Sequence, residues 1–109
     1  MIVTDDQVSD ALAYLALDIH PIAEARFKFT KAENKRKQVY AIAFITTQGK
    51  SIADRQAIVE ASKEYQEALD AEASAMVEVE RHRARIKSAG MVLEIWRSLQ
   101  ANQRTAERI

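Results

Sequence analysis

Between Ser62 and about Arg104 the apolar positions recur at a spacing that only a helix explains. Ala68, Ala71, Ala75, Val79, His82, Ile86, Ala89, Leu93 and Trp96 follow one another in steps of three or four, which keeps them on one helix face. Ser62 is placed to cap this helix, and Glu64 and Glu67 stand in its first turn, where the helix dipole favours anions. The spacing predicts one long helix over 62–104. Some forty residues at about 1.5 Å each make a rod of roughly 60 Å. A globule of this chain length has a radius of gyration near 13 Å, about half as wide as the rod is long. A seam of that length is expected to outrun its own domain and to ask for a second subunit.

The earlier part of the chain reads as shorter helices. Thr4, Asp5, Asp6 and Gln7 form a capping box ahead of the apolar stripe Val8, Ala11, Leu12, Leu15 and Ile19, so a first helix is predicted over 5–19. Pro21 disfavours helical geometry at His20 and suits the first position of a new helix. That second helix is predicted over 21–46, with Ile22, Ala25, Phe29, Ala32, Val39, Ile42 and Ala43 on its face. Val39–Thr47 is rich in β-branched and aromatic residues and reads alternatively as a strand. Its only strand-like partner is the short stretch 1–4, so helix is preferred. Gln48, Gly49 and Lys50 form a turn, with Gly49 suited to the left-handed position after a helix. Ser51 and Asp54 open a short helix over 52–61. A single helix running on from 52 into the long one is the alternative. Past Val92, the residues Val92, Leu93, Ile95, Trp96 and Leu99 widen the apolar stripe, and the polar tail 101–109 is expected to fray. The fold class is therefore all-α: an N-terminal helical pair packed on one long C-terminal helix in a coiled-coil-like homo-oligomer, with 1–109 a single helical domain. Val79, Ile86, Leu93, Trp96 and Leu99 are the expected oligomer interface.

Composition narrows this picture. Hydrophobic residues make up 48% of the 109, which separates the chain from disordered sequences, and two glycines with one proline suit a helical protein. There is no cysteine, so disulfides, thiol chemistry and cysteine-bound zinc are excluded. The acidic N-terminus lacks the basic start of a signal peptide. The longest apolar run, Val39–Ile45, is far short of the roughly 20 residues that span a bilayer. A soluble protein of the cytoplasm, with no membrane partner, is expected.

The net charge of zero hides segregation. Residues 1–24 hold five acids and no Lys or Arg; residues 26–37 hold six bases against Glu33. Residues 60–80 hold seven acids against Lys63, and 81–87 hold Arg81, Arg83, Arg85 and Lys87 with no acid. Such alternation suits helices or subunits that match one another better than it suits a bulk polyanion footprint.

Candidate chemistry is sparse. His82 lies on the seam four residues after Glu78, but residue 79 is Val, so the Glu-x-x-His of di-iron bundles is absent. A seam histidine satisfied by a neighbour, or setting register, is the better reading. No phosphate-binding glycine loop and no nucleophile setting is visible. No catalytic residue, metal ligand or cofactor is assigned, and the chain is not expected to be an enzyme. Lys28, Lys31 and Lys35 share one helix face, with Arg36 and Lys37 beside them and Phe27, Phe29 and Tyr40 interleaved. Cations with aromatic rings are what a single-stranded nucleic-acid surface uses, phosphates on the cations and bases on the rings.

The second half carries a resemblance. Arg55, Val59, Ala61, Ser62, Glu64, Tyr65 and Ala68, followed by Val92-Leu93-Glu94-Ile95-Trp96-Arg97-Ser98 and Ala101-Asn102-x-Arg104, resemble small helical proteins that tailed phages encode beside their recombination and single-strand-binding genes. The layout is more distantly similar to the UvsY-type recombination mediator, with its lysine-rich helical hairpin and long assembly helix. The resemblance implies an oligomeric accessory protein of phage DNA recombination or replication, in the host cytoplasm, that binds single-stranded DNA and helps load a recombinase. Its protein partner would be a recombinase or a single-strand-binding protein. It places Trp96 and Leu99 in assembly and makes Lys28, Lys31, Lys35, Arg36 and Lys37 the strand contacts. The alternative, of a different class, is a protein-only helical interaction module, an adaptor or an inhibitor of a host complex.

Overall fold

A computed structural model describes residues 2–49 and 51–108. Its regular structure is entirely helical: α1 (Asp5–Leu15), α2 (Pro21–Thr46), α3 (Ile52–Glu60) and α4 (Lys63–Arg108). The fold is all-α, with the long C-terminal helix packing against helices from the N-terminal half. The strand reading of Val39–Thr47 is excluded, because Val39–Thr46 forms the last turns of α2 and Thr47 follows in the loop. No helix among the described residues is long and apolar enough to cross a membrane.

The helix ends follow from local chemistry. At Thr4 the capping box is complete: the Gln7 N–H donates to Thr4 Oγ1 at 3.2 Å and the Thr4 N–H donates to Gln7 Oε1 at 2.9 Å. α1 then stops at Leu15, four residues short of the expected end, and Ile19 is 85% exposed rather than part of a buried stripe. The chain needs those residues to turn before Pro21, which bars His20 from helical geometry and offers no N–H of its own. The α1 face is also rotated from expectation: Val8, Ala11 and Tyr14 are buried, and Leu12 faces solvent. Gly49 is left-handed at φ +74°, but it sits in the loop beyond Thr47 and Gln48, not directly after α2. The third residue of that expected turn, Lys50, lies outside the described residues, as does Met1 of the strand-like stretch.

α3 and α4 are separate helices. Ala61 closes α3, and the Ser62 hydroxyl both donates to the Val59 carbonyl at 2.7 Å and accepts from the Tyr65 N–H at 3.3 Å. That single side chain ends one helix and caps the next. α4 runs without a break through Gly90 to Arg108, so residues 101–108 of the tail expected to fray are helical, and Ile109 lies outside the described residues.

The chain divides into two compact units, Met1–Pro21 with Arg81–Ile109, and Ile22–Glu80. In the first, α1 lies on the C-terminal part of α4. Ala11, Tyr14 and Ala89 form the buried cluster, and Leu15, Ile86, Val92 and Leu93 pack against it. In the second, α2 runs antiparallel to the first turns of α4, since Arg36 meets Glu72 and Tyr40 meets Tyr65. α3 closes this unit from the other end. Val59 is 1% exposed, and Arg55 lies over the Phe44 ring at 4.1 Å while donating to the Phe44 carbonyl at 2.5 Å. A cation on the last carbonyls of α2 also complements the negative end of its dipole.

Candidate nucleic-acid surface and assembly face

The face expected to need a second subunit is largely occupied by the chain itself. Val79 is buried at 3% exposure, and Ile86 and Leu93 pack on the cluster made with α1. Trp96 is half-buried, and only Leu99 of the five expected interface residues is exposed. The apolar face of α4 is lined from within the chain. Two different N-terminal helices line it, α2 in one unit and α1 in the other.

His82 has the neighbour that the sequence lacked. Its Nδ1 stands 3.5 Å from the Tyr14 hydroxyl, while the Arg85 guanidinium stacks over the same ring at 4.0 Å and the His20 ring meets it edge-on at 4.7 Å. No group of three or more metal-ligating side chains gathers among the described residues. Tyr14 is the residue sequence reasoning missed. The signal was present, a bulky side chain three positions after Ala11, but Leu15 beside it fitted the same face.

The five candidate strand contacts are sorted by α2 into different environments. Arg36 points inward. Its Nε donates to Glu72 Oε2 at 2.5 Å, with both side chains about three-quarters buried. The hydrogen bond to Glu72 raises the Arg36 pKa above its ordinary value, against the opposing effect of desolvation, and a hydrogen bond to Tyr65 adds to the rise. Lys37 pairs with Glu33 at 3.5 Å and Lys28 with Glu24 at 3.3 Å, both as exposed i,i+4 pairs. Such pairs are worth about 0.3–0.5 kcal/mol and are readily exchanged for a phosphate. Among the described residues, neither Lys31 nor Lys35 is in an ion pair.

Lys31 Nζ lies 5.3 Å from the centroid of the Phe27 ring, and Phe27 is 61% exposed; Lys28 is the next residue along the helix and pairs with Glu24. Phe29, by contrast, is half-buried, and Tyr40 is enclosed between Phe44 and Tyr65. Lys35 turns toward a groove that it shares with Glu64 and Glu67. The exposed surface of α2 thus sets Lys31 on the Phe27 ring, with Lys28 on the adjoining face, and Arg36 is drawn into the packing.

The residues behind the phage-protein resemblance mostly build the fold. Arg55 stacks on Phe44, Val59 is core, Ser62 caps, Tyr65 packs on Tyr40 and Ala68 is buried. No known protein family, curated protein or solved structure matches the chain.

Proposed function

We propose that this chain is an accessory protein of phage-type DNA recombination or replication that binds single-stranded DNA on the outward face of α2. It would act with a recombinase or a single-strand-binding protein. The observation that carries the reading is Phe27, an apolar residue left largely in solvent with the Lys31 ammonium beside its ring and the exposed Lys28 next to it in sequence. A base stacked on the ring, with flanking phosphates on the two ammonium groups, uses all three side chains. Stacking of this kind is worth about 1–3 kcal/mol per base and tolerates any sequence.

Fluorescence anisotropy of a labelled oligonucleotide across a salt series tests this. Phe27→Ala should weaken binding by about 1–3 kcal/mol while leaving the thermal midpoint nearly unchanged, because the ring is mostly exposed. Reversal of Lys28 and Lys31 to Glu should abolish binding. No binding at low salt, or binding indifferent to all three changes, would shift the assignment to the protein-only module. That second reading has its own support in Ile42, Ile45, Ile52 and Ile58, four exposed isoleucines of α2 and α3.

A further inference from the structure

In the unit formed by α2, α3 and the start of α4, two adjoining hollows of about 310 and 380 Å³ make one groove between α2 and α4. Val39 and Glu64 line both. The floor is apolar, with Val39 and Ala43 half-buried and Ala68 buried, and Ile42 stands at its edge 56% exposed.

The charges around the groove are arranged with opposite sign on opposite lips. Lys35 stands on the α2 lip, and Glu64 and Glu67 on the α4 lip. They are also offset along it. Because Arg36 is level with Glu72 and Tyr40 with Tyr65, Lys35 belongs to one end and the two glutamates lie toward the other. Glu67 reaches Lys63 at 3.8 Å through a largely exposed i,i+4 pair, weak enough for it to turn to a better partner.

We infer that this groove is the seat of a second copy of the chain in a two-fold dimer. An isologous interface requires a surface complementary to itself: where residue i meets residue j, j must also meet i. A two-fold axis through the groove lays Lys35 of each copy against Glu64 and Glu67 of the other, and brings the two Ile42 side chains and the apolar floors together. A nucleic-acid strand is disfavoured in the same place, since the two glutamates would face its phosphates. The dimer stands whether or not the outward face of α2 binds DNA.

The experiment is light scattering or sedimentation equilibrium on the full chain, without nucleic acid, over a micromolar to millimolar concentration series. The wild type is expected to reach twice the chain mass of 12.3 kDa. Lys35→Glu alone, and Glu64→Lys with Glu67→Lys alone, are each expected to stay at the single-chain mass while keeping wild-type helicity by circular dichroism. Mixed in equal amounts, these two variants should restore the doubled mass, because each then offers the lip the other needs. Ile42→Ser, an uncharged change at an exposed position, should also lower the doubled fraction. A wild type that stays at 12.3 kDa throughout, reversal variants that keep the doubled mass, or a mixture that fails to recover it would overturn the proposal.

Discussion

At the residue scale, the Tyr14 ring is buried, faces Arg85 at 4.0 Å and reaches His82 with its hydroxyl at 3.5 Å. Removing it empties the centre of the α1 unit. Tyr14→Ala should cost about 3–5 kcal/mol, the range for truncating a buried aromatic. Tyr14→Phe keeps the ring and loses only a long hydroxyl contact, so about 1 kcal/mol or less is expected. Denaturant unfolding followed by circular dichroism separates the two, and equal effects would show that the ring is not the element that matters.

The ion pairs on α2 make a second comparison. Arg36→Ala leaves Glu72 partly desolvated without its partner and should lower the thermal midpoint clearly, while Lys28→Ala and Lys37→Ala should leave it nearly unchanged. Since Glu72 raises the Arg36 pKa, the arginine's contribution is fully present below its unfolded value and is lost only as pH climbs through the folded one. The Arg36→Ala deficit should therefore be flat from neutral to moderately alkaline pH. A deficit that vanishes near neutrality would show that the pair is not what Arg36 provides.

At the element scale, helix existence was legible because period and caps are local. α2 begins and ends where Pro21 and the Gln48–Gly49 loop dictate, and the Thr4 box fixes the start of α1. The misplaced features depend on distant residues. Where α1 stops depends on the turn into α2, and that Tyr14 goes inward while Leu12 faces solvent depends on the α4 surface the helix meets. Arg36–Glu72 and Arg85–Tyr14 join residues far apart in sequence, so no spacing announces them. The lysine row on α2 was legible as a row, but its division into outward, groove-facing and inward members was not.

Two changes test the elements themselves. Gly90 lies inside α4, and an added Cβ would meet nothing within 4 Å. Gly90→Ala should stabilise the fold by about 0.5–1 kcal/mol through helix propensity alone. Ser62→Ala removes the side chain shared by the end of α3 and the start of α4 and should cost about 0.5–2 kcal/mol. Thermal melts of both variants check the signs. Loss of stability in Gly90→Ala would mean that the glycine serves an approach by something other than this chain.

At the scale of the whole molecule, the segregated charge is matched within each unit. Basic α2 lies along the acidic start of α4, and the acidic first helix lies along the arginine-rich stretch after residue 80. A chain so balanced has no far-reaching field for a polyanion, and the proposed strand binding would rest on a few local contacts. Two lysines give a log-log salt slope of roughly −1.4 at about −0.7 per contact, and two copies on one strand give roughly −2.8. Pairing two such sites also adds avidity that neither has alone. Ile42→Ser alters no charge and lies away from Phe27, Lys28 and Lys31, so it isolates the effect of assembly. With an oligonucleotide long enough for both copies, it should halve the slope and weaken binding at least tenfold, while a short oligonucleotide that one copy covers should bind wild type and variant alike. A slope unchanged by Ile42→Ser on the long strand would mean that each chain holds DNA independently of its partner.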